Sequence, residues 1–299
     1  MSEATPRPLL VVGAGIAGVT AAIEAAEAGR DVVLLEKEAS IGGRVLQLHH
    51  YFPKLCPPSC GMEINTRRLE RNPRVRVLTN AEITAADGGK VTVRQAPAWV
   101  NDRCTACGKC CEVCPAKVKD PHDLEMTEVP AIRLPHPNAW PYRYTLNREA
   151  CPEGCQACVE VCDYDAIDLE AQAREETLEV GSVVVATGWH AYPLEKLPEL
   201  GGGTLPNVIS NVQMERLASK TGPTGGKIQR PSDGGSPKRV AFVQCAGSRD
   251  HNHLPYCSSV CCLGSFKQAL YVKEQDPEAE VAIYYIDRRA FGRNEEILA

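Results

Sequence analysis

Apolar and polar residues alternate in blocks at the start of the chain, and this pattern predicts a parallel β-α-β unit. Residues 9–12 are a short apolar run that leads into a Gly-rich turn, and the Ala-rich stretch 16–28 has the length and composition of a helix. Gly29 ends this helix, and a second apolar run over 31–35 predicts the next strand. Further short strands are predicted over 75–78, 82–84 and 90–93, with a turn at Gly88 and Gly89.

This regular pattern is interrupted at about residue 99. From there to about residue 168 the chain is rich in Cys and Pro and shows little periodicity, and strand character returns over 178–186. We therefore predict a domain that occupies 1–98, is interrupted by an insertion over 99–169, and resumes over 170–200.

The remaining third of the chain has a different composition. Residues 201–238 are rich in Gly, Pro and Ser and predict a linker or an ordered loop. Two apolar runs over 239–244 and 280–286 flank a predicted helix near 265–274, so that a second β-α-β unit begins within 239–299. We expect an incomplete second nucleotide-like domain there.

Composition restricts the possible functions. The chain has 299 residues, a net charge of −5 and 15 cysteines. The negative charge argues against nucleic acid as the main partner. No apolar run reaches the roughly 18 residues of a membrane-spanning helix. The odd cysteine count and the absence of an apolar signal core favour a cytoplasmic protein with reduced thiols, which would reach a membrane only through partners.

The first glycine motif predicts a dinucleotide site. Gly13, Gly15 and Gly18 follow a predicted strand with the spacing Gly-x-Gly-x-x-Gly, which permits a tight turn and close approach to a pyrophosphate. Ile16 and Ala17 open the following helix, whose N-terminal amides can bind phosphate. Glu36, with Lys37 beside it, stands at the end of the second strand, where a carboxylate accepts hydrogen bonds from ribose hydroxyls.

Two further segments favour FAD over NAD. Gly42, Gly43 and Arg44 follow Glu36, and many FAD enzymes have a Gly pair where the chain passes close to the cofactor. The second segment is a later flavin-domain signature, Ala186, Thr187 and Gly188, and we add Ile83 to the predicted cofactor-binding residues. The alternative is a nucleotide-binding fold that has lost its ligand.

Two cysteine runs in the insertion have the spacing of a two-cluster ferredoxin. The fourth cysteine of each such run binds the other cluster. One 4Fe–4S cluster is therefore assigned to Cys104, Cys107, Cys110 and Cys162. The second is assigned to Cys114, Cys151, Cys155 and Cys158. Cys111 is an extra residue expected to pack, and structural zinc is the alternative reading of the pairs.

A third cysteine group is less standard. It consists of Cys245, Cys257, Cys261 and Cys262. These thiols can surround a third metal cluster if the loop over 248–256 folds back, and buried free cysteines are the alternative.

Cys56 and Cys60 follow the Gly pair roughly where flavin disulfide reductases place a redox-active dithiol. They are candidate catalytic residues, and a structural pair is the alternative. Lys267 follows the double cysteine by five positions. It is the third catalytic candidate, because a Lys beside a flavin can stabilise the reduced anionic form. His49 and His50 are candidates for the flavin pocket or for the surface.

With these motifs the chain resembles the flavin subunit of heterodisulfide reductases and, more closely, the flavin/iron–sulfur member of quinone-interacting membrane-bound oxidoreductase complexes. The matching stretches cover nearly the whole chain and include 51–58, 104–115, 183–189, 222–234, 242–250, 256–262 and 285–288. The resemblance implies FAD in a thioredoxin-reductase-like fold with two dinucleotide-binding domains, an α/β class. It also implies an inserted ferredoxin-like module with two 4Fe–4S clusters and a third, non-standard cluster at the Cys245 group.

The chain departs from this family in two ways. The position expected for a second Gly-x-Gly-x-x-Gly reads Gln-Cys-Ala-Gly-Ser over 244–248, so we do not expect NAD(P)H to bind there. The segment that commonly grips the flavin ribityl chain is absent, which implies a truncated form or weaker FAD binding.

The predicted function is electron transfer between FAD and 4Fe–4S clusters. The resemblance implies complexes with other iron–sulfur and flavin subunits, peripheral to the inner membrane through a quinone-reactive membrane partner, and electron exchange with adenylylsulfate reductase in sulfur metabolism. One alternative is a role in heterodisulfide reduction or sulfur oxidation, with flavin-based electron bifurcation. The other is a flavin-poor scaffold in which the clusters serve docking.

Overall fold

A computed structural model of the protein describes residues 7–292 and 294. Contacts within the chain divide it into two compact units. Unit one contains the residues up to 46 together with 59–189, and unit two contains 47–58 together with the residues from 190 onward.

The described residues form helices and strands with the following bounds. The helices are α1 (Ile16–Glu27), α2 (Pro58–Arg71), α3 (Lys109–Glu112), α4 (Ala157–Glu160), α5 (Asn211–Ala218) and α6 (Cys261–Gln275). The strands are β1 (Leu9–Val12), β2 (Val32–Leu35), β3 (Val75–Leu78), β4 (Ala81–Asp87), β5 (Lys90–Gln95), β6 (Lys117–Lys119), β7 (Glu128–Pro130), β8 (Ile132–Arg133), β9 (Thr145–Leu146), β10 (Arg174–Glu179), β11 (Ser182–Val185), β12 (Arg239–Val243) and β13 (Glu280–Tyr284).

Unit one is built on a parallel sheet with the strand order β11-β1-β2-β3. The apolar runs predicted from the sequence form its central strands, and β2 is buried along its whole length. One apolar core contains residues of β1, α1 and β2, and a second joins the sheet to the antiparallel strands β10-β5-β4. The carboxyl ends of β1 and β11 lie side by side, and this edge is where an open α/β sheet binds ligands.

The insertion forms a compact module within unit one. Its two ends meet, because the backbone N–H of Asp168 donates to the carbonyl of Trp99 over 2.9 Å, and Asn101 donates to Ala166 over 2.9 Å. Two small antiparallel pairs, β6-β7 and β8-β9, frame it. Its core centres on Ala131 and Ile132, which are fully buried, with cysteine side chains packed around them.

Unit two contains the parallel pair β12-β13 and the helices α5 and α6. Segment 201–238, which the sequence predicts as a linker or loop, contains helix α5. Ser210 begins this helix with a capping box in which its side chain accepts from the N–H of Gln213, and the helix is largely buried. This Gly- and Pro-rich segment therefore contains a packed helix that its composition does not indicate.

Other predicted elements differ in their bounds. The strand predicted over 178–186 is two strands, β10 and β11, which belong to different sheets and are separated at Gly181. The last helix begins at Cys261, four residues before its predicted start at 265, so the double cysteine lies in its first turn. Helix α2 was not predicted. Among the described helices, none is both long enough and apolar enough to cross a bilayer.

Candidate functional site

The glycine loop between β1 and α1 has the shape of a dinucleotide cradle. Gly13 has φ +98°, and a Cβ there would lie 2.4 Å from the carbonyl oxygen of Ala186. A Cβ on Gly18 would lie 1.8 Å from the carbonyl oxygen of Gly13, so that position needs close helix–loop contact. A Cβ on Gly15 would meet nothing within 4 Å. The first and third glycines are thus needed for packing, whereas the space over the second is open for a ligand.

Glu36 ties the end of β2 to this loop. Its carboxyl group is buried, and Oε2 accepts from the N–H of Ala14 over 2.8 Å while Oε1 accepts from the N–H of Glu38 over 3.0 Å. Each oxygen keeps a second lone pair, which a ribose hydroxyl can use. Lys37 is exposed and lies 3.7 Å from the Glu38 carboxylate.

The second glycine pair packs against the first glycine loop. Gly42 donates its N–H to the carbonyl of Ala14 over 2.8 Å, and a Cβ on Gly43 would lie 2.9 Å from the Cα of Gly15. This contact places the two segments predicted to bind FAD side by side.

The third predicted FAD segment lies beside the first glycine loop. Ala186 donates its N–H to the carbonyl of Val12 over 2.8 Å, and Thr187 and Gly188 follow it. Arg44 donates to the carbonyl of Trp189 over 2.6 Å, and its guanidinium lies 5.3 Å from the centre of that ring. Ile83 lies within β4, which begins where Ala81 donates to the carbonyl of Glu36 over 2.9 Å.

The eight cysteines assigned to the insertion converge on two cavities. One is lined by Cys104, Cys107, Cys110 and Cys162. The other is lined by Cys114, Cys151, Cys155 and Cys158. The fourth cysteine of each run thus lies with the first three of the other run, which is the crossed arrangement of two-cluster ferredoxins. The side chain of Cys111, the remaining cysteine of the first run, lines neither cavity.

The thiols in these cavities are crowded and partly buried. Burial and the neighbouring thiolates of Cys104 and Cys107 raise the pKa of Cys110 to about 12, and burial likewise raises the pKa of Cys158. A bound cluster removes this penalty, because its iron stabilises the thiolate form. Across the described part of the chain, no three His, Cys, Asp or Glu side chains are arranged to hold a single metal ion.

The third cysteine group also comes together, because the loop over 248–256 folds back. Arg249 donates its N–H to the carbonyl of Tyr256 over 3.1 Å, and Ser248 Oγ donates to the same oxygen over 2.6 Å. This places Cys257 near Cys245. Burial raises the pKa of Cys262, and the negative charges of Cys261, Cys245 and Cys257 raise it further.

Lys267 lies in a buried polar network within unit two. Its Nζ is 2.9 Å from Oε1 of Glu215 and donates to the carbonyl of His50 over 2.5 Å. Glu215 is 2% exposed and also accepts from Gln268 Nε2 over 2.7 Å and from the N–H of His49 over 3.0 Å. The network therefore attaches the segment 47–58 to α5 and α6.

The two histidines stack on each other in this network. Their ring centroids are 3.8 Å apart, and both rings contact the edge of Tyr271. Burial, followed by the charge of His50, lowers the pKa of His49 to about 4. At neutral pH this pair is uncharged.

The candidate dithiol residues differ in environment. Cys56 is partly buried in unit two, where its carbonyl accepts from the N–H of Tyr51 over 3.1 Å. Cys60 is exposed in the first turn of α2. All the cysteines of the chain are free thiols in the structure.

Sequence reasoning missed Glu215, which lies on α5 within the predicted linker. Its only signal was the Ser210–Gln213 capping pattern, which marks the start of a helix in a Gly- and Pro-rich stretch.

Comparison with known proteins gives a consistent set of relatives. A sequence profile of the NAD(P)-binding Rossmann-like domain matches residues 11–80. The A-type subunit of the H(2):CoB-CoM heterodisulfide,ferredoxin reductase of Methanothermobacter marburgensis is 40% identical over 96% of this chain and 44% of its own length. An A-type iron–sulfur subunit of the CoB–CoM heterodisulfide reductase of Methanopyrus kandleri is 42% identical over the same shares.

The chain therefore spans less than half the length of these curated relatives. Among solved structures, the L-proline dehydrogenase of P. horikoshii covers 97% of this chain and 37% of its own, with 10% identity and a TM-score of 0.38. A similarity this low has no bearing on function.

Proposed function

Because the chain is homologous over 96% of its length to the A-type subunits of heterodisulfide reductases, we propose that it is a flavin- and iron–sulfur-dependent electron-transfer protein. The observation that carries the proposal is the grouping of eight insertion cysteines around two cavities in the crossed order of a two-cluster ferredoxin. The glycine loop in the same unit supplies a dinucleotide cradle that is open over Gly15.

The proposed cofactors are FAD and three 4Fe–4S clusters. FAD exchanges electrons in pairs, whereas iron–sulfur clusters pass them singly, so a chain that holds both can connect the two kinds of donor. Gly13, Gly15, Gly18, Glu36, Gly42 and Gly43 would hold the FAD pyrophosphate and ribose, with Ala186–Gly188 beside them. The Cys245 group would hold the third cluster, and the fold-back of loop 248–256, which brings the segment before Cys257 back towards that of Cys245, supports this role.

We extend the proposal to partners. The relatives are named as subunits of larger reductases, which supports assembly of this chain with other iron–sulfur and flavin subunits. Its sequence motifs resemble those of the quinone-interacting complexes. On that basis its electrons would pass between a quinone-reactive membrane partner and adenylylsulfate reductase, at the cytoplasmic face of the inner membrane.

A second candidate function is disulfide reduction, which the names of the relatives favour. In this version the exposed thiol of Cys60 and the partly buried thiol of Cys56 exchange with a substrate disulfide. Loss of disulfide-reducing turnover in Cys56→Ser, with flavin and iron retained, would support this role. Unchanged disulfide-reducing turnover would exclude it.

The first experiment is to measure iron, acid-labile sulfide and FAD in anaerobically purified protein. About twelve iron atoms and one FAD per chain are expected for three cubane clusters. About eight iron atoms would reduce the Cys245 group to a structural one. Zinc in place of iron, or no flavin, would contradict the proposal.

A further inference from the structure

Two arginines and one aspartate lie against the third cysteine group. The guanidinium of Arg249 is 3.9 Å from Cys245 Sγ and donates to Asp287 Oδ1 over 2.5 Å. Arg289 donates to both carboxylate oxygens of Asp287, each over 3.2 Å. Asp287 therefore holds two guanidinium groups beside the sulfur atoms.

Arg289 contacts the cysteines through its backbone, whose N–H donates to Cys262 Sγ over 3.5 Å. A backbone amide of the loop adds another contact, because the N–H of Ser259 donates to Cys257 Sγ over 3.4 Å. Hydrogen bonds to cluster sulfurs and nearby positive charges both stabilise the reduced form of an iron–sulfur cluster.

The charge balance here differs from that of the two cavities in the insertion. Two arginines against one aspartate leave one net positive charge beside the Cys245 group. Among the described residues that line the cavity at Cys104, the only cation is Lys109, which is paired with Asp163. The described lining of the cavity at Cys158 has no charged side chain apart from its thiols.

We propose that the Arg249–Asp287–Arg289 triad sets the redox potential of the third cluster and holds it above the potentials of both clusters in the insertion. This inference rests on the proposed function, since it requires a cluster at the Cys245 group. Reduction adds one negative charge to the cluster, and the net positive triad lowers the free energy of that reduced state. The Arg249 side chain is 21% exposed, so solvent screens its charge only in part.

The test is an EPR-monitored redox titration of the anaerobically purified full chain. In Arg289→Gln and Arg249→Gln, the ratio of reduced to oxidised third cluster at a fixed potential should fall about tenfold, or 59 mV for a one-electron couple. The matched control is Arg288→Gln. It removes the same charge from the neighbouring position, where the guanidinium lies 5.9 Å from the centre of the Tyr285 ring. The control should retain the wild-type potential.

If the glutamine variants lose iron, the potential of their third cluster cannot be measured, and two further variants test the proposal instead. Arg289→Lys retains the charge and should retain the potential. Asp287→Asn removes the negative charge, so its potential should shift upward, in the opposite direction to that of the arginine variants.

The possible outcomes separate this inference from the function on which it rests. About eight iron atoms per chain in the wild-type protein would overturn this inference and the third cluster but would leave the proposed electron-transfer function. Zinc in place of iron would overturn both. About twelve iron atoms, with a third cluster that is reduced last or that responds equally to Arg289→Gln and Arg288→Gln, would overturn only the role of the triad.

Discussion

Ser40 Oγ lies 2.8 Å from the backbone N of Trp140 and accepts its hydrogen bond. The carbonyl of the same Trp140 accepts from the N–H of Ile41 over 3.0 Å. Ser40 directly precedes the segment that leads to Gly42 and Gly43, and Trp140 belongs to the insertion. These two hydrogen bonds therefore attach the cysteine module to the predicted flavin loop.

Replacement of Ser40 should weaken this attachment. Ser40→Ala leaves the partly buried N–H of Trp140 without its acceptor, which costs about 1 kcal/mol in the free energy of unfolding. Chemical denaturation measures this difference, with Ser182→Ala on an exposed position of β11 as the control. Equal stability of the two variants would show that water replaces the hydroxyl group.

The cysteines of the insertion should differ in their effect on iron content. Cys158 lines a cavity with three other cysteines, whereas Cys111 lines neither cavity. Cys158→Ser should lose about four iron atoms per chain, and Cys111→Ser should lose none. Iron and sulfide analysis of both variants distinguishes them, and equal loss from both would contradict the ligand assignment.

The glycine loop predicts two separable effects. Gly15→Val should fold normally, because its side chain enters open space, but it should reduce FAD retention about tenfold by filling the cradle. Gly18→Ala should instead lower the free energy of unfolding by about 1–3 kcal/mol, because its Cβ would meet the Gly13 carbonyl. Flavin absorbance per chain and denaturation curves measure the two effects. If Gly15→Val retains full FAD, the dinucleotide does not bind over this residue.

The buried pair in unit two should be costly to break. Lys267→Met leaves the Glu215 carboxylate buried without its cation, and we expect a loss of about 3–5 kcal/mol in the free energy of unfolding. In the double variant Lys267→Met with Glu215→Gln, much of this stability should return. A flavin potential that changes in both variants would support the proposed role of Lys267 at the flavin, and an unchanged potential would limit it to structure.

His49 should make stability depend on pH. Its pKa is lowered from 6.5 to about 4 in the folded state, so the unfolded state takes up a proton first as the pH falls. The stabilisation is present above pH 6.5 and is lost as the pH falls towards 4. After allowance for partial exposure it amounts to roughly 1–2 kcal/mol. The lowered pKa of His50 acts in the same direction.

Denaturation of the wild type and of His49→Gln at two pH values, one near 7.5 and one near 5.5, measures this contribution. Effects of acid on bound clusters are common to both proteins and cancel in the comparison. The difference between them should shrink at the lower pH, and a constant difference would contradict the lowered pKa.

Local patterns in the sequence were sufficient for much of this protein. The apolar runs at β1 and β2, the glycine spacing that follows and the cysteine spacing in the insertion are short-range features. Each depends on backbone geometry or on the ligand geometry of a cluster. Each can therefore be recognised in the sequence without knowledge of the tertiary structure. The crossed grouping of Cys114 and Cys162 follows from the same spacing.

Contacts between distant segments could be decided only by the tertiary structure. Glu215 lies in a stretch whose Gly and Pro content indicates a linker, yet it is 2% exposed because Lys267 and Gln268, more than 50 positions later, satisfy its carboxylate. The hydrogen bonds between Ser40 and Trp140 and between Arg249 and Asp287 also join residues that are distant in the sequence. Polar pairs of this kind leave no periodic pattern in the sequence. Their contribution to stability depends on burial and on a partner that only the tertiary structure brings near.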